Sequence, residues 1–562
     1  MTLNRKPPEK SGRFNWEDFG QTSTAPATPE MSKSSLPASL QTLGGIVIKG
    51  SRISDGQFTV SNLNLDVGNV SRRAAVPVKA SFDLDTGPAG SQTSFDAALT
   101  ITLDSVAKHY GLEAVSLSGE LRQHNNSHSL RWNFLAPAVE ADLGAQTLKA
   151  PSFTMQAGSA RLSGSLSGEK IINAPVFGGS VKLQPLVLRE FLALLGVELP
   201  KTRDKQALST LAASTDFSYT LKAVRLEKLN LQLDETHLRG ELMVPNLHTE
   251  AMTFDLSVDR IDLSRYLAPA GTAPQSTARA PDREPTELPT DAVRALNATG
   301  RFSIGTAKVA GMTLSNLHLN LKAQNGLVHL APVNASLYGG EYSGDITYDA
   351  REATPRVKLD QQVTGVDIAP LLKDSIQSEW LSGRGNVSAQ LAGAGRTTEA
   401  LTRNLTGRVT ANLADGALNG IDIWYEINLA QALLKQQPAP AGSDDRRTKF
   451  DSFKMSADIA AGIATTKDLT IASQYLRVTG TGNSNLVTRA IDYHIVATIL
   501  KAPVSAQRPE LSQLTLADVP VEISGTMVDP KVRPDLQGIV RSKLKQRLQD
   551  TVKEKLEGIF NR

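Results

Sequence analysis

Cysteine is absent from the 562 residues of this sequence. That excludes disulfide scaffolds, thiol catalysis and zinc ribbons, and it suits an oxidising compartment such as a bacterial periplasm. Aromatic residues are scarce at 5%, too few to furnish base-stacking platforms. An excess of one charge is also lacking: 60 basic against 57 acidic residues leave a formal net charge of +3. A chain so near neutrality carries no nucleic-acid footprint, so no nucleic-acid partner is expected. Long apolar runs are missing as well. No segment approaches the roughly 18 uninterrupted apolar residues of a membrane span. At the start, Leu3 leads into Asn-Arg-Lys-Pro-Pro, without the apolar stretch of a secretory signal.

Catalytic patterns are equally thin. There is no phosphate-binding Gly-x-x-x-x-Gly-Lys-Ser/Thr loop and no Gly-x-Ser-x-Gly elbow. Gly383-Arg384-Gly385 lacks the third glycine and the strand-to-helix context of a dinucleotide loop. His124 and His128 sit in His-Asn-Asn-Ser-His between two strand patterns. On a helix that spacing could hold a metal, but Asn-Asn between strands reads as a solvated hairpin tip. Asp83/Asp85 and Asp444/Asp445 fall on wet faces or in loops. The expectation is a protein that is not an enzyme, with no catalytic residue, metal or cofactor.

What is present is alternation. Leu99 to Leu103, Leu226 to Leu233, Leu317 to Leu321 and Ile491 to Ile495 place apolar residues at every second position. Period two predicts strands with one dry and one wet face. Between them recur Ser54-Asp55-Gly56, Gln324-Asn325-Gly326, Tyr338-Gly339-Gly340 and Ala414-Asp415-Gly416, read as turns. The pattern is a long antiparallel meander. Short helices are predicted near 188–195, 263–268 and 368–374, with a longer one at 421–436.

Two similarities recur inside the chain. Residues 58–67 (FTVSNLNLDV) match 312–321 (MTLSNLHLNL), with Ser-Asn in the same place. In both, the apolar phase slips by one across Ser-Asn, which predicts a bulge or tight bend there. A strand running into a short helix appears at 181–196, 256–268 and 362–374, as in a modular, elongated β-structure. Residues 269–290 are rich in Pro, Ala, Thr and charge and read as a linker. The domains expected are thus 1–268, the linker, 291–534 and a helix over 535–562. That helix carries apolar residues about every fourth position, including Leu544, Leu548, Val552 and Leu556, with Arg541 and Lys545 beside them. It reads as a basic amphipathic helix for a membrane surface, or as a cap on the last β-module.

Residues 10–19 (KSGRFNWEDF) resemble the Asn-Trp-acidic-acidic-Leu signature of AsmA family proteins. The resemblance runs on through 44–67 and 296–349, Leu-Tyr-Gly-Gly at 337–340, Gly-Val-Asp-Ile-Ala-Pro-Leu-Leu at 365–372 and Ala-Asp-Gly-Ala-Leu-Asn-Gly-Ile-Asp-Ile at 414–423. It implies a mainly-β protein whose antiparallel sheet curls into a long groove, apolar inside, similar to bridge-like lipid transfer proteins. The implied function is non-enzymatic carriage of phospholipid between inner and outer membrane, in support of outer-membrane biogenesis. The alternative is a structural factor for outer-membrane protein assembly that binds no lipid. The implied partners are phospholipids, either membrane surface and outer-membrane assembly proteins. Family members begin with a transmembrane helix and further β-structure before the Asn-Trp motif. Here the motif stands close to Met1, so inner-membrane association in the periplasm is an expectation from the resemblance, with the anchor absent from these residues. Candidate groove residues are Leu63, Leu65, Val67, Leu229, Leu231, Leu233, Leu317, Leu319 and Leu321. The plainer reading of the same residues is the core of a closed β-sandwich.

Overall fold

A computed structural model describes residues 2–4 and 42–535. Excepted are 55–57, 72–74, 88–90, 105–108, 124–128, 267–286, 439–445, 502–517 and isolated positions. The Asn-Trp motif, the His124/His128 turn, nearly all of the linker and all but Asp535 of the C-terminal helix lie outside the described residues. So do Arg541, Leu544, Lys545, Leu548, Val552 and Leu556.

The described residues are mainly strand, with few, short helices. They divide into two compact units, Met1–Ser257 and Val258–Arg562.

In the first unit, strands from Ile46–Ser54 to Thr236–Asn246 pair antiparallel, almost all with their sequence neighbours. Thr2–Asn4 adds a parallel pairing on Arg52–Ser54. In the second unit the meander runs from Ala298–Val309 to Pro530–Pro534, again antiparallel between successive strands. That last strand begins and ends in proline, which lacks the N–H that a further strand would need.

The Ser-Asn phase slip is a bulge in both places. Asn62 has φ 52° and Asn316 φ 51°, the left-handed region that asparagine tolerates better than most residues. The pairing skips between Ser61 and Asn64 and between Ser315 and His318. Gly50 and Gly365 make similar bulges, and in each the freed N–H donates to an asparagine Oδ1 on the adjacent strand. Gly50 donates to Asn64 at 3.1 Å and Gly365 to Asn386 at 2.9 Å. Each bulge adds local right-handed twist. One predicted turn is corrected by the same geometry. Asp415-Gly416 lies inside the strand Thr406–Asn419, with Asp415 at φ 50° opposite a break in register. Both left-handed turns and bulges favour Asp-Gly, so the dipeptide alone did not separate them. Asn325-Gly326 and Tyr338-Gly339 are true hairpin turns with positive φ at both positions.

The predicted strand-to-helix units are all present. Val176–Val187 leads into Leu188–Leu194, Ala251–Asp262 into the 3₁₀ turn Leu263–Arg265, and Arg356–Asp367 into Ile368–Ile376. In the last two an aspartate ends the strand and caps the helix: Asp262 accepts from Ser264 N at 3.0 Å and Asp367 from Ala369 N at 3.3 Å. The longer helix is Ile423–Leu434, begun by Asp422, which accepts from Tyr425 N at 3.0 Å. Two short helices, Thr290–Ala295 and Thr398–Arg403, were not legible, having only six residues each. The former starts inside the stretch read as linker, and Leu288 N already donates to Arg396 O at 2.9 Å.

Candidate functional site

No catalytic constellation forms among the described residues, and no three His, Asp or Glu gather where they could hold a metal. The perturbed groups have structural partners. Asp234 is 8% exposed. Burial works against its charge, but Thr210 N, the Ser209 hydroxyl and N–H, and Leu208 N donate to it at 2.7–3.0 Å. These bonds prevail and hold its carboxyl below the usual range. Burial and the Asp374 carboxylate at 2.5 Å push the Tyr338 hydroxyl up to about 12. Burial, with Asp422 nearby, raises Glu426. Arg384, from the Gly-Arg-Gly sequence, is a clamp: it donates to Gly365 O at 2.8 Å and Gly339 O at 3.0 Å. That clamp ties the Tyr-Gly-Gly turn to the Gly-Val-Asp-Ile bulge, two of the motifs singled out in the sequence.

The conspicuous surface is apolar. In the first unit, residues directly opposite one another on successive strands read Ile48, Leu65, Ala80, Ala97, Leu117, Phe134, Met155, Leu162, Leu183, Ala213, Leu231 and Leu238. Facing partners share a face of the sheet, so this is one apolar row across twelve strands, about 50 Å at about 4.8 Å per strand. None of the twelve is buried, and Met155 is 38% exposed. A flanking row reads Ile46, Val67, Val78 and Leu99. On the other side Phe82 stacks on Phe95 at 4.7 Å, and Phe95 meets Trp132 edge-on at 5.4 Å. Gly119 stands between them in register, and a Cβ there would lie 2.0 Å from Ser94 O on the adjacent strand and 2.9 Å from the Trp132 ring. The glycine lets the indole lie over the neighbouring strand.

The candidate groove residues fall on these surfaces as follows. Leu63, Leu65 and Val67 alternate with exposed Asn62, Asn64 and Asp66. Leu65 and Leu231 share the long row, and Leu233 faces Leu211, which faces Leu186. Leu229 faces Gly240. Leu317, Leu319 and Leu321 lie along one face of Met312–Gln324 in the second unit. There Leu317 is buried with Ala307, Val333 and Ala335, and Leu319 packs against them. The continuity of the row was not visible in the sequence, because alternation gives each strand's dry face but not which residues meet across strands.

Further along the second unit the dry face is covered. Val366, Gly385, Leu413, Phe453, Ile471, Val478, Ala497 and Val519 make a row across eight strands in which every residue but Gly385 is buried. Ile368, Ile423 and Ile427 from the two helices close the cluster.

With that geometry in hand, the family model described as AsmA family matches residues 8–469. The chain belongs to the AsmA family. Among curated proteins it is similar to Protein AsmA of Escherichia coli (strain K12), 24% identical over 182 residues. That match covers 32% of this chain and 30% of the E. coli protein's length. Among the described residues, no helix of this AsmA family chain is long and apolar enough to cross a membrane.

Proposed function

We propose that this AsmA family chain is a non-enzymatic periplasmic protein. Its apolar sheet face holds phospholipid acyl chains and passes them between inner and outer membrane in support of outer-membrane biogenesis. The observation that carries the reading is the twelve-strand apolar row of the first unit, every member of which still meets water. An uncovered apolar row gains free energy from any occupant that dehydrates it, and an acyl chain supplies about 0.8 kcal/mol per buried methylene. The row has no hydrogen-bonding side chain along it, so it suits a ligand without polar groups over the same length. The bulges add twist, through which such a sheet would curl about its dry face. Of the nine candidate residues, Leu65 and Leu231 would lie in such a trough and Leu63, Val67, Leu229 and Leu233 on the same strands, while Leu317, Leu319 and Leu321 belong to the second unit's own apolar face.

A second reading, an assembly factor that acts through strand addition, has one observation in its favour. Ile46 is 42% and Val47 59% exposed on the strand Ile46–Ser54, whose outer side pairs with Thr2–Asn4 only at Arg52–Ser54 among the described residues.

Native mass spectrometry with lipid extraction, on the full chain purified from a Gram-negative host, separates the two. Several phospholipids per chain are expected. A stably folded, lipid-free chain would overturn the conduit and leave the assembly factor.

A further inference from the structure

A cavity of about 900 Å³ opens in the second unit, lined by none of the residues of the apolar row. Its lining comes from the end of the helix Ile368–Ile376, from Glu379 and Trp380 beyond it, from Asn419-Gly420 and from the turn Val528–Pro530. Gly311 completes it. The volume falls within the range of small-molecule sites.

Its chemistry is one-sided. Asp374, Glu379 and Asp529 line it against a single cation, Lys373, which pairs with Glu379 at 2.6 Å. The helix ends here, with Gln377 in the left-handed conformation, so its last carbonyls add negative potential at the same place. Trp380 lines the cavity, is half-buried and packs onto the buried cluster. The wall is also held in position: Asn419 N donates to Trp380 O at 2.7 Å, and Asn419 Nδ2 to Glu379 O at 2.7 Å. Tyr338 fixes the Asp374 carboxylate from the side.

We propose that this cavity is a binding site for an organic ammonium group, received between the carboxylates of Asp374 and Asp529 with Trp380 as its aromatic wall. Carboxylates, helix carbonyls and an indole are the groups that bind substituted ammonium ions, by charge and by cation–π attraction. Free amines and the ethanolamine headgroup of a lipid share that chemistry. The proposal does not rest on the acyl-chain reading, since none of these residues belongs to the apolar row.

The test is calorimetric titration of the full chain with phosphoethanolamine, with micelles of lysophosphatidylethanolamine and with micelles of lysophosphatidylglycerol. Three variants accompany it: Asp529→Lys, Trp380→Phe and, as a control on an exposed turn of the first unit, Ile172→Lys. Asp529 is on an exposed turn, so its replacement leaves the core intact. Saturable binding of an ethanolamine probe is expected, weakened about tenfold or more by Asp529→Lys, less by Trp380→Phe and not at all by Ile172→Lys. Binding of phosphoethanolamine would make the ligand a free amine. Binding confined to the ethanolamine micelles, and lost in Asp529→Lys, would make it a lipid headgroup. Equal binding of both micelles that survives Asp529→Lys, or no ethanolamine binding at all, would overturn the proposal. The former result would still leave the acyl-chain reading standing, because neither Asp529 nor Trp380 belongs to the apolar row.

Discussion

The two units use the same device, an antiparallel strand row of apolar side chains, and treat it in opposite ways. In the first, Leu65, Leu117, Phe134 and Leu231 sit in a row that stays partly exposed over twelve strands. In the second, Leu413, Phe453, Ile471 and Val478 occupy equivalent alternating positions and are at most 5% exposed. The difference is not in the strands. It lies in the helix Ile423–Leu434, which touches both Arg447–Ala460 and Pro530–Pro534, and in Ile368–Ile376, which packs into the same cluster. Thr448 anchors that cover from beneath, accepting from Ile423 N at 2.9 Å and donating to Ile421 O at 2.8 Å. A sheet becomes a core where a helix is laid on it and stays a surface where none is.

The contrast predicts unequal responses to truncation. Ile423→Ala removes a fully buried side chain from under the sheet and should cost about 3–4 kcal/mol in chemical denaturation. Leu117→Ala in the open row should cost less, about 1–2 kcal/mol, because part of that side chain is already in water. Equal losses at the two positions would mean that the first unit's row is covered after all, and the comparison would break.

Among the described residues the first unit has no buried cluster like that of the second, and its ladders and the polar anchors at its turns matter more. Asp234 is the clearest of these. Asp234→Ala strands the N–H groups of Leu208, Ser209 and Thr210 and should cost about 2 kcal/mol. Its pH dependence has a definite sign. The folded carboxyl titrates below its ordinary value, so the stabilisation is complete above that value and is lost as pH falls through the folded one. Acid unfolding monitored by circular dichroism should therefore start at higher pH in the first unit of the alanine variant, with the second unit unchanged.

Much of this architecture was legible in the residues. Alternation located the strands, and the phase slip at Ser61-Asn62 and Ser315-Asn316 located two bulges, because a one-residue slip must flip faces. The strand-to-helix units were legible for a similar reason: Asp262 and Asp367 end a period-two run and begin a period-four one. The cover was not. Nothing in IDIWYEINLAQALLKQ says which strands its apolar side will meet, and partners such as Leu413 and Val519 are over a hundred residues apart. Cross-strand register over twelve strands was hidden likewise, since each bulge shifts the count.

The smallest structural effect should accompany a large functional one. Met155 is the most exposed member of the open row, so Met155→Lys places an ammonium where water already reaches. Lysine can also lay its methylenes along the row and keep its charge in solvent, so stability should move by no more than about 0.5 kcal/mol. An acyl chain lying on the row would, by contrast, have to dehydrate that charge, a penalty that no methylene contact offsets. Lipid retained through purification should therefore fall severalfold with the melting temperature unchanged, as read by native mass spectrometry beside calorimetry. The same substitution in the covered row, Val478→Lys, should instead unfold the second unit, since its site is fully buried and offers the ammonium no partner. If Met155→Lys unfolded the chain as Val478→Lys does, the open row would be a core in disguise. If it left both fold and lipid untouched, the acyl chains would lie elsewhere.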